Sequence, residues 1–287
     1  MTTTQKNWLA GALVAVGFVF LFHQVFTKLV ADWYNDDNYS HGFLIVPIAA
    51  YLAWERRHRF WSAPVRPSLL GLVVVAGSVL VLTGGVLGSE LFMTRIAILG
   101  MLVGTLLFLF GWGRLRVLVF PIAFLLLMIP IPAIIFNQIA FPLQLLASRF
   151  GESVMNAANV PVLREGNVLV LANITLEVAQ ACSGIRSLVS LLTLAIVLGY
   201  FADPRMWVRI LIAVASVPVA VITNGARVAG TGLAAHHFGP AAAEGFLHEF
   251  SGWLVFIAAF ALLLFVQQVI AKVAPARLPA EAVEAVA

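Results

Sequence analysis

The chain contains a single cysteine, Cys182, in the segment AQACSGIRSLVSLL, where a polar stretch gives way to an apolar run. We expect this residue near a helix N-terminus, where unpaired backbone N–H groups and the helix dipole favour a thiolate. Ser183 is expected to cap that helix. Because a thiolate is a strong nucleophile, Cys182 is a candidate catalytic residue. The alternative is a small buried side chain without a chemical role.

Two further side chains suited to catalysis stand in separate segments. Arg227, in VITNGARVAG, lies at the outer end of an apolar run, where a charge is costly and is by default a functional candidate. Its guanidinium can stabilise an oxyanion or a thiolate. His248, in EGFLHEFSGW, precedes the last apolar run and exchanges protons near neutral pH. The alternatives are a snorkelling arginine and an interfacial polar anchor.

Other polar residues are weaker candidates. The candidates for substrate binding are His41, Arg164, Arg186 and Asn224. Glu177 and Glu249 are candidates to orient a catalytic partner.

A metal or nucleotide cofactor is not expected. The pair His236 and His237 is adjacent, and neighbouring histidines rarely chelate one ion, so we expect a solvated loop there. The chain contains no HExxH motif, no cysteine-rich spacing and no glycine-rich phosphate loop.

The composition indicates that these residues sit in a membrane protein. Of the 287 residues, 62% are hydrophobic and 10% are charged, whereas soluble domains carry roughly a quarter charged residues. The mean hydropathy of +1.00 excludes a water-soluble globule. Eight apolar runs approach the length of a bilayer span, at residues 8–26, 42–54, 69–87, 91–112, 117–136, 183–201, 207–223 and 252–271.

The distribution of charge predicts the orientation. If the eight runs alternate from a cytoplasmic N-terminus, most of the 17 Lys and Arg residues fall inside and most of the 13 acids fall outside. This bias is the positive-inside tendency, and it explains the pI near 9.6 without a nucleic-acid partner. We predict one integral membrane domain over residues 1–287, with a membrane core at 6–273 and a cytoplasmic tail at 274–287.

The longest polar segments lie on the predicted outer face. Residues 137–181 begin with an amphipathic stretch, FPLQLLASRFGESVMNAA, which is expected to lie along the interface. Alternating β-branched residues follow, around a turn at residues 164–167, and indicate a hairpin or three-stranded flap. A second outer stretch, rich in Gly and His, is expected to join the last two runs. The predicted fold is therefore an all-α polytopic protein of about eight transmembrane helices, with an outward-facing β-hairpin flap between helices five and six.

Four segments in this order resemble the exosortases of the exosortase and archaeosortase family: NYSHGFLIVPIAAYLAWERR, LEVAQACSGIRSL, NGARV and FLHEFSGW. The resemblance extends from about residue 38 to residue 252. It implies a bacterial inner-membrane cysteine protease or transpeptidase that recognises the C-terminal PEP-CTERM signal of exported proteins. That signal consists of a Pro-Glu-Pro-like motif, a membrane helix and a basic end.

The resemblance also implies roles for the three candidate residues. Cys182, Arg227 and His248 correspond to the family's Cys, Arg and His, with Cys182 as the nucleophile. A thioacyl intermediate would pass the cleaved protein to a surface acceptor or to water. The chain lacks the extra C-terminal domain fused to some members, so the subtype and its association with exopolysaccharide stay open. The alternatives are a multi-pass transporter or lipid- or polysaccharide-handling permease, and a structural membrane scaffold.

Overall fold

The computed structural model describes residues 3–172, 174–178, 184–239 and 246–275; the side chains of residues 3–8, 10 and 246–249 are not among those described. Cys182, Ser183, the side chains of His248 and Glu249, and most of the predicted tail therefore lie outside the described part. The chain divides into two compact units, Met1–Pro132 and Ala133–Ala287, which are described separately.

The described residues form nine α-helices, a 3₁₀ turn and three strands. The first unit contains α1 (Thr3–Asn35), α2 (Gly42–Glu55), α3 (Arg57–Ser62), α4 (Leu70–Leu87), α5 (Leu91–Phe124) and the 3₁₀ turn Leu125–Met128. The second contains α6 (Ala133–Ala157), β1 (Val162–Glu165), β2 (Val168–Leu171), β3 (Thr175–Glu177), α7 (Ile185–Ala202), α8 (Met206–Phe238) and α9 (Phe246–Val273).

Helix α5 reverses direction at Gly111. Arg95, near its start, pairs with Asp32 at the end of α1, and the Trp33 indole donates a hydrogen bond of 2.9 Å to the carbonyl of Met128. A straight helix would hold residues 95 and 128 roughly 50 Å apart. Gly111 has φ +79°, and a Cβ there would lie 1.7 Å from a backbone oxygen of Arg66. Only glycine fits this bend, which makes α5 a pair of antiparallel arms.

Six helical stretches are long and apolar enough to cross a membrane, namely Gly11–Asn35, Leu70–Leu87, Leu91–Met128, Ile185–Ala202, Met206–Phe238 and Phe250–Val273. The predicted second run is a shorter helix, Gly42–Glu55, and the predicted fourth and fifth runs are the two arms of α5. The predicted count of eight crossings is therefore not confirmed by this criterion.

Three predicted boundaries are wrong. The first run, predicted to end at residue 26, continues to Asn35. The fifth run, predicted to reach residue 136, ends at Met128, because Pro130 and Pro132 cannot donate backbone hydrogen bonds. The seventh run, predicted to end at residue 223, continues to Phe238 as one helix of 33 residues. Hydropathy falls beyond residue 223, but the alanine- and glycine-rich continuation packs closely enough to stay helical. His236 and His237 consequently stand in the last turn of α8 and not in a loop.

The residues predicted as a hairpin or three-stranded flap form a three-stranded antiparallel sheet in the order β1-β2-β3. Its register pairs Glu165 with Val168 and Leu169 with Leu176, so the turn is shorter than the four residues predicted. Buried Leu169 packs with Met155 of α6 and Val228 of α8 in one hydrophobic cluster. The sheet is therefore anchored on α6, which precedes it in the chain, and on α8.

Helices α7, α8 and α9 share a second apolar core. Leu191, Ile212 and Leu263, one from each helix, are fully buried in it. At the end of this core distant from the sheet, the Arg205 guanidinium pairs with Asp203 at 2.7 Å and donates to the Ala274 carbonyl, which joins the α7–α8 connection to the end of α9.

Candidate active site

The segment that carries the cysteine enters α7 through Gly184. This residue is the N-cap of α7, in place of the predicted Ser183, and it has a left-handed conformation with φ +78°. Its carbonyl accepts the first helical hydrogen bond, from the Leu188 N–H at 2.7 Å. A Cβ on Gly184 would stand 2.7 Å from Cγ of Asn224. The backbone two residues after Cys182 is therefore pressed against Asn224 of α8, and glycine is required there by both conformation and space.

Asn224 is buried, with 4% of its surface exposed. It borders a recess of about 10 Å³ whose other lining residues include Gly184, Leu143, Ala147 and Leu188. This space is enough for about one water molecule at most. A peptide side chain does not fit there, so the arrangement suits a residue that positions the backbone of α7 better than one that contacts substrate directly.

Arg227 follows one turn later on α8 and points at a different helix. Its guanidinium nitrogen Nη2 lies 3.4 Å from the place of a Cβ on Gly252 of α9. Position 248 lies four residues before Gly252, and residues four apart share one face of a helix. Arg227 therefore occupies the face of α9 on which the backbone of His248 stands. The side chain of Arg227 is half-buried, with its Nε shielded from solvent.

Helix α8 connects the three candidate segments. Asn224 and Arg227 are three residues apart and lie near each other on its surface. Gly225 and Gly232 face α6, where added Cβ atoms would meet Phe150 and Met155 at 2.8 Å and 2.4 Å. These close approaches hold the residue 224–227 turn between α6, α7 and α9. The described geometry thus brings Arg227 toward the α9 segment of His248 and Asn224 toward the α7 segment of Cys182.

The remaining predicted arginines have different surroundings. Arg186 is the second residue of α7 and is half-buried, with its Nε shielded from solvent. Arg164 donates from Nε to Glu152 at 2.7 Å and from Nη1 to the Gly166 carbonyl at 3.1 Å. Its guanidinium is thus engaged in the contact between the sheet and α6. Glu177, at the end of β3, is exposed.

His41 belongs to the first unit, at the N-cap of α2. Its Nε2 lies 3.2 Å from the Leu127 carbonyl. Burial lowers the pKa of His41, and backbone hydrogen bonds to Leu127 and Asn38 partly oppose the shift. The neutral imidazole is therefore favoured near neutral pH.

The described residues bring together no group of three or more His, Cys, Asp or Glu side chains able to hold a metal ion. His236 and His237 contact each other, with ring centroids 5.0 Å apart, at the end of α8.

The structure adds two residues that sequence reasoning did not select, Gly184 and Gly252. The first follows Cys182 by two positions, and the second follows His248 by four. Both leave room for a side chain of α8. A glycine next to each candidate catalytic residue was the available signal, but composition alone does not tell a required glycine from an incidental one.

Comparison with known proteins gives one match. A family model described as transmembrane exosortase matches residues 33–265, which is most of the chain. Neither a curated protein nor a solved structure matches.

Proposed function

This chain belongs to the transmembrane exosortase family, and from that premise we propose that it is a membrane-embedded cysteine transpeptidase. Its substrates are exported proteins that carry a C-terminal PEP-CTERM-type sorting signal. The observation that carries the proposal is the double contact of one α8 turn, Asn224 against Gly184 and Arg227 against Gly252. The chain's one cysteine and its candidate histidine flank these two glycines.

The distances along the backbone support a shared site. Residues 182 and 184 are joined by two peptide units, which span at most about 7 Å between Cα atoms. Residues 248 and 252 are separated by about 6 Å along a helix. These short separations support a site in which both candidate residues reach the turn that holds Asn224 and Arg227.

The proposed chemistry has two steps, formation of a thioester on Cys182 and transfer of the acyl group to an acceptor. His248 takes the thiol proton of Cys182, and the thiolate sulfur adds to the scissile carbonyl carbon. Arg227 stabilises the oxyanion that forms on the carbonyl oxygen. The C–N bond then breaks, the leaving amine takes the proton from His248, and a thioester remains on Cys182. An acceptor amine or other nucleophile attacks the thioester and releases the thiol, and this transfer gives the attached product.

Asn224 is proposed as a positioning residue and not as a substrate contact. It is buried against Gly184 and beside a recess too small for a peptide. By holding the left-handed turn at Gly184, it sets the direction from which the Cys182 segment enters α7. Arg186 is the second residue of α7, close to the Gly184 turn. It is a better candidate than Arg164 to bind the acidic residue of a Pro-Glu-Pro motif, because Arg164 is already paired with Glu152.

The membrane topology follows from the same proposal. Counting the arms of α5 separately and α2 as a short crossing gives eight crossings, with both termini in the cytoplasm. Helix α6 then lies along the outer interface, and the sheet stands beside it, where an exposed strand can pair with an extended substrate. A substrate helix in the bilayer of the bacterial inner membrane presents its cleavage motif at this level.

The test is processing of a signal-bearing exported protein that is co-expressed with the chain. Wild type is expected to shorten the substrate, and the Cys182→Ala, Arg227→Ala and His248→Ala variants are expected to leave it intact. Mass spectrometry of the new C-terminus identifies the bond and anything attached. Processing by the Cys182→Ala variant at the wild-type rate would reject the nucleophile.

A further inference from the structure

An apolar groove lies between α4 and the two arms of α5, far along the chain from the proposed catalytic residues. Its volume is about 600 Å³, and its lining includes Val73, Leu99, Val103, Leu115 and Val119. All the lining side chains are apolar. Val73 is 67% exposed and stands at the open side of the groove. Within a bilayer such a groove is filled by hydrocarbon.

The two ends of the groove differ in charge. At one end, Trp112 lines the groove and is half exposed. Arg116 stands one turn after Trp112, and Arg66 contacts the Gly111 bend through its backbone. Both arginine side chains are exposed, and neither forms an ion pair or a side-chain hydrogen bond with the rest of the described chain.

Neighbouring arginines at this end are engaged elsewhere. Arg114 is buried among the rings of Phe60, Trp61 and Phe110 and donates to the Ala63 carbonyl. Arg56 donates to the Val117 carbonyl at 2.9 Å. Arg59 on α3 is also exposed, but Arg66 and Arg116 are the two exposed arginines that adjoin the Gly111 bend and Trp112.

The charged residues of α5 near the opposite end offer no free cation. Arg95 is 2% exposed and is paired with Asp32, while Glu90 is exposed at the start of α5. Glu90 is also the only acid in the sequence between residues 56 and 116. The Trp112 end is therefore cationic, and the other end offers a carboxylate.

We propose that this groove binds an anionic phospholipid, with one acyl chain along α4 and α5 and the phosphate between Arg66 and Arg116. Basic sites between membrane helices recognise anionic head groups, and tryptophan favours the head-group level. A zwitterionic lipid offers the same chains but no net negative charge, so the two guanidinium groups select the anionic lipid. The site is independent of the proposed peptidase chemistry.

The experiment is native mass spectrometry of the detergent-purified full chain, incubated with phosphatidylglycerol or with phosphatidylcholine of the same acyl chains. Wild type is expected to retain one phosphatidylglycerol in preference to phosphatidylcholine. The Arg66→Gln/Arg116→Gln variant is expected to bind phosphatidylglycerol about 30-fold more weakly, with little change for phosphatidylcholine. The Lys28→Gln/Lys272→Gln variant has the same net charge change at two exposed positions outside the groove, and it is expected to match wild type.

A second pair of variants tests the groove itself. Val73→Trp fills the open side and is expected to weaken retention roughly tenfold. Val79→Trp, at an exposed position on α4 that does not line the groove, is expected to have no effect. Equal retention of both lipids by wild type, an unchanged preference in the double arginine variant, or undiminished retention in Val73→Trp would each overturn the proposal.

Discussion

The Arg227 guanidinium lies against Gly252, with Nη2 3.4 Å from the position that a Cβ on that glycine would take. A single methyl group at this distance makes an ordinary contact, whereas a larger side chain is expected to displace the guanidinium. Because position 252 is a glycine, the guanidinium fits against the backbone of α9, one helical turn from position 248. This relationship makes the role of position 252 testable without touching any proposed catalytic group.

Substitution at Gly252 is expected to depend steeply on size. Gly252→Ala is predicted to process substrate within about twofold of wild type, because its methyl group only touches Arg227. Gly252→Leu displaces the guanidinium and is predicted to lose about 10²-fold in rate, comparable to removal of an oxyanion donor. The rates are measured by appearance of the shortened substrate.

The matched control is Ala258→Leu, which adds three carbons where Gly252→Leu adds four, on an exposed face of α9. It is expected to leave processing unchanged. If Gly252→Leu retains full activity, Arg227 does not act from this position.

Removal of the charge on Arg227 is expected to affect the chemical step more than substrate binding. Arg227→Gln is predicted to lower kcat by about 10²–10³-fold with KM changed little, because an oxyanion forms only in the transition state. Arg227→Lys keeps the charge but not the planar fork of the guanidinium. Its kcat is expected to lie between those of wild type and Arg227→Gln. Steady-state kinetics on purified protein and substrate measures both parameters. A change confined to KM would assign Arg227 to ground-state binding.

The reactivity of Cys182 is expected to depend on Asn224. The single cysteine allows alkylation of the chain to report on this site with no other thiol replaced. In the proposed site, Cys182 stands next to a helix N-terminus and Arg227, and a thiolate so placed reacts at lower pH than a free thiol. On this proposal, Arg227→Gln moves the midpoint of the alkylation profile upward. Asn224→Ala is predicted to slow alkylation about fivefold to tenfold at fixed pH.

Rescue distinguishes positioning from general loss of structure. Gly184→Ala introduces both a clash with Asn224 and an unfavourable left-handed alanine. Because the Cβ of Asn224 would itself lie 2.9 Å from the added Cβ, only Asn224→Gly removes the clash. Combining Gly184→Ala with Asn224→Gly is expected to recover part of the alkylation rate. Strictly additive losses in the double variant would show that the two residues do not act through their contact.

The connection between α7 and α8 is expected to weaken in acid. A hydrogen bond from Arg205 lowers the pKa of Asp203, with further help from the Arg205 backbone N–H and charge. The unfolded carboxyl has its pKa near 3.9. The pair therefore adds stability above that pH and loses it as the pH falls through the lower folded-state value.

This pH dependence is measured by thermal unfolding in detergent between about pH 3 and pH 6. Asp203→Asn is predicted to lower the midpoint at pH 6 and to flatten its fall toward acid relative to wild type. Glu165→Gln, which removes a carboxylate from the sheet, is the control expected to keep the wild-type slope. Identical slopes for wild type and Asp203→Asn would contradict the role assigned to the pair.

Much of the fold was predictable, because long apolar runs indicate the membrane helices and alternating β-branched residues indicate the strands. Residues 162–177 alternate clearly enough to predict the sheet, and α4 and α7 coincide closely with their apolar runs. The reversal in α5 was predicted between the fourth and fifth runs, but the close fit of Gly111 against the backbone of Arg66, which is distant in sequence, was not. The full length of α8 was missed because its second half stays helical through close packing on α6 and not through hydropathy.

The candidate residues were selected by type, and the arrangement of their helices was not predicted. Cys182, Arg227 and His248 were selected from their chemistry and from their expected side of the membrane. That Asn224 faces Gly184, and that Arg227 faces Gly252, depends on the rotation of α8 relative to α7 and α9. Such rotation is set by packing among helices that are separated along the chain, so the sequence offered no measure of it.

The most direct test of the account is disulfide formation between position 182 and position 248. In the His248→Cys variant, which contains two cysteines, oxidation followed by maleimide mass tagging is predicted to give no tags, and reduction is predicted to restore two. Disulfides form only when Cα atoms approach within about 7 Å. The Ala258→Cys variant, roughly 15 Å farther along α9, is expected to take two tags in both conditions. Two tags on oxidised His248→Cys would contradict a shared site.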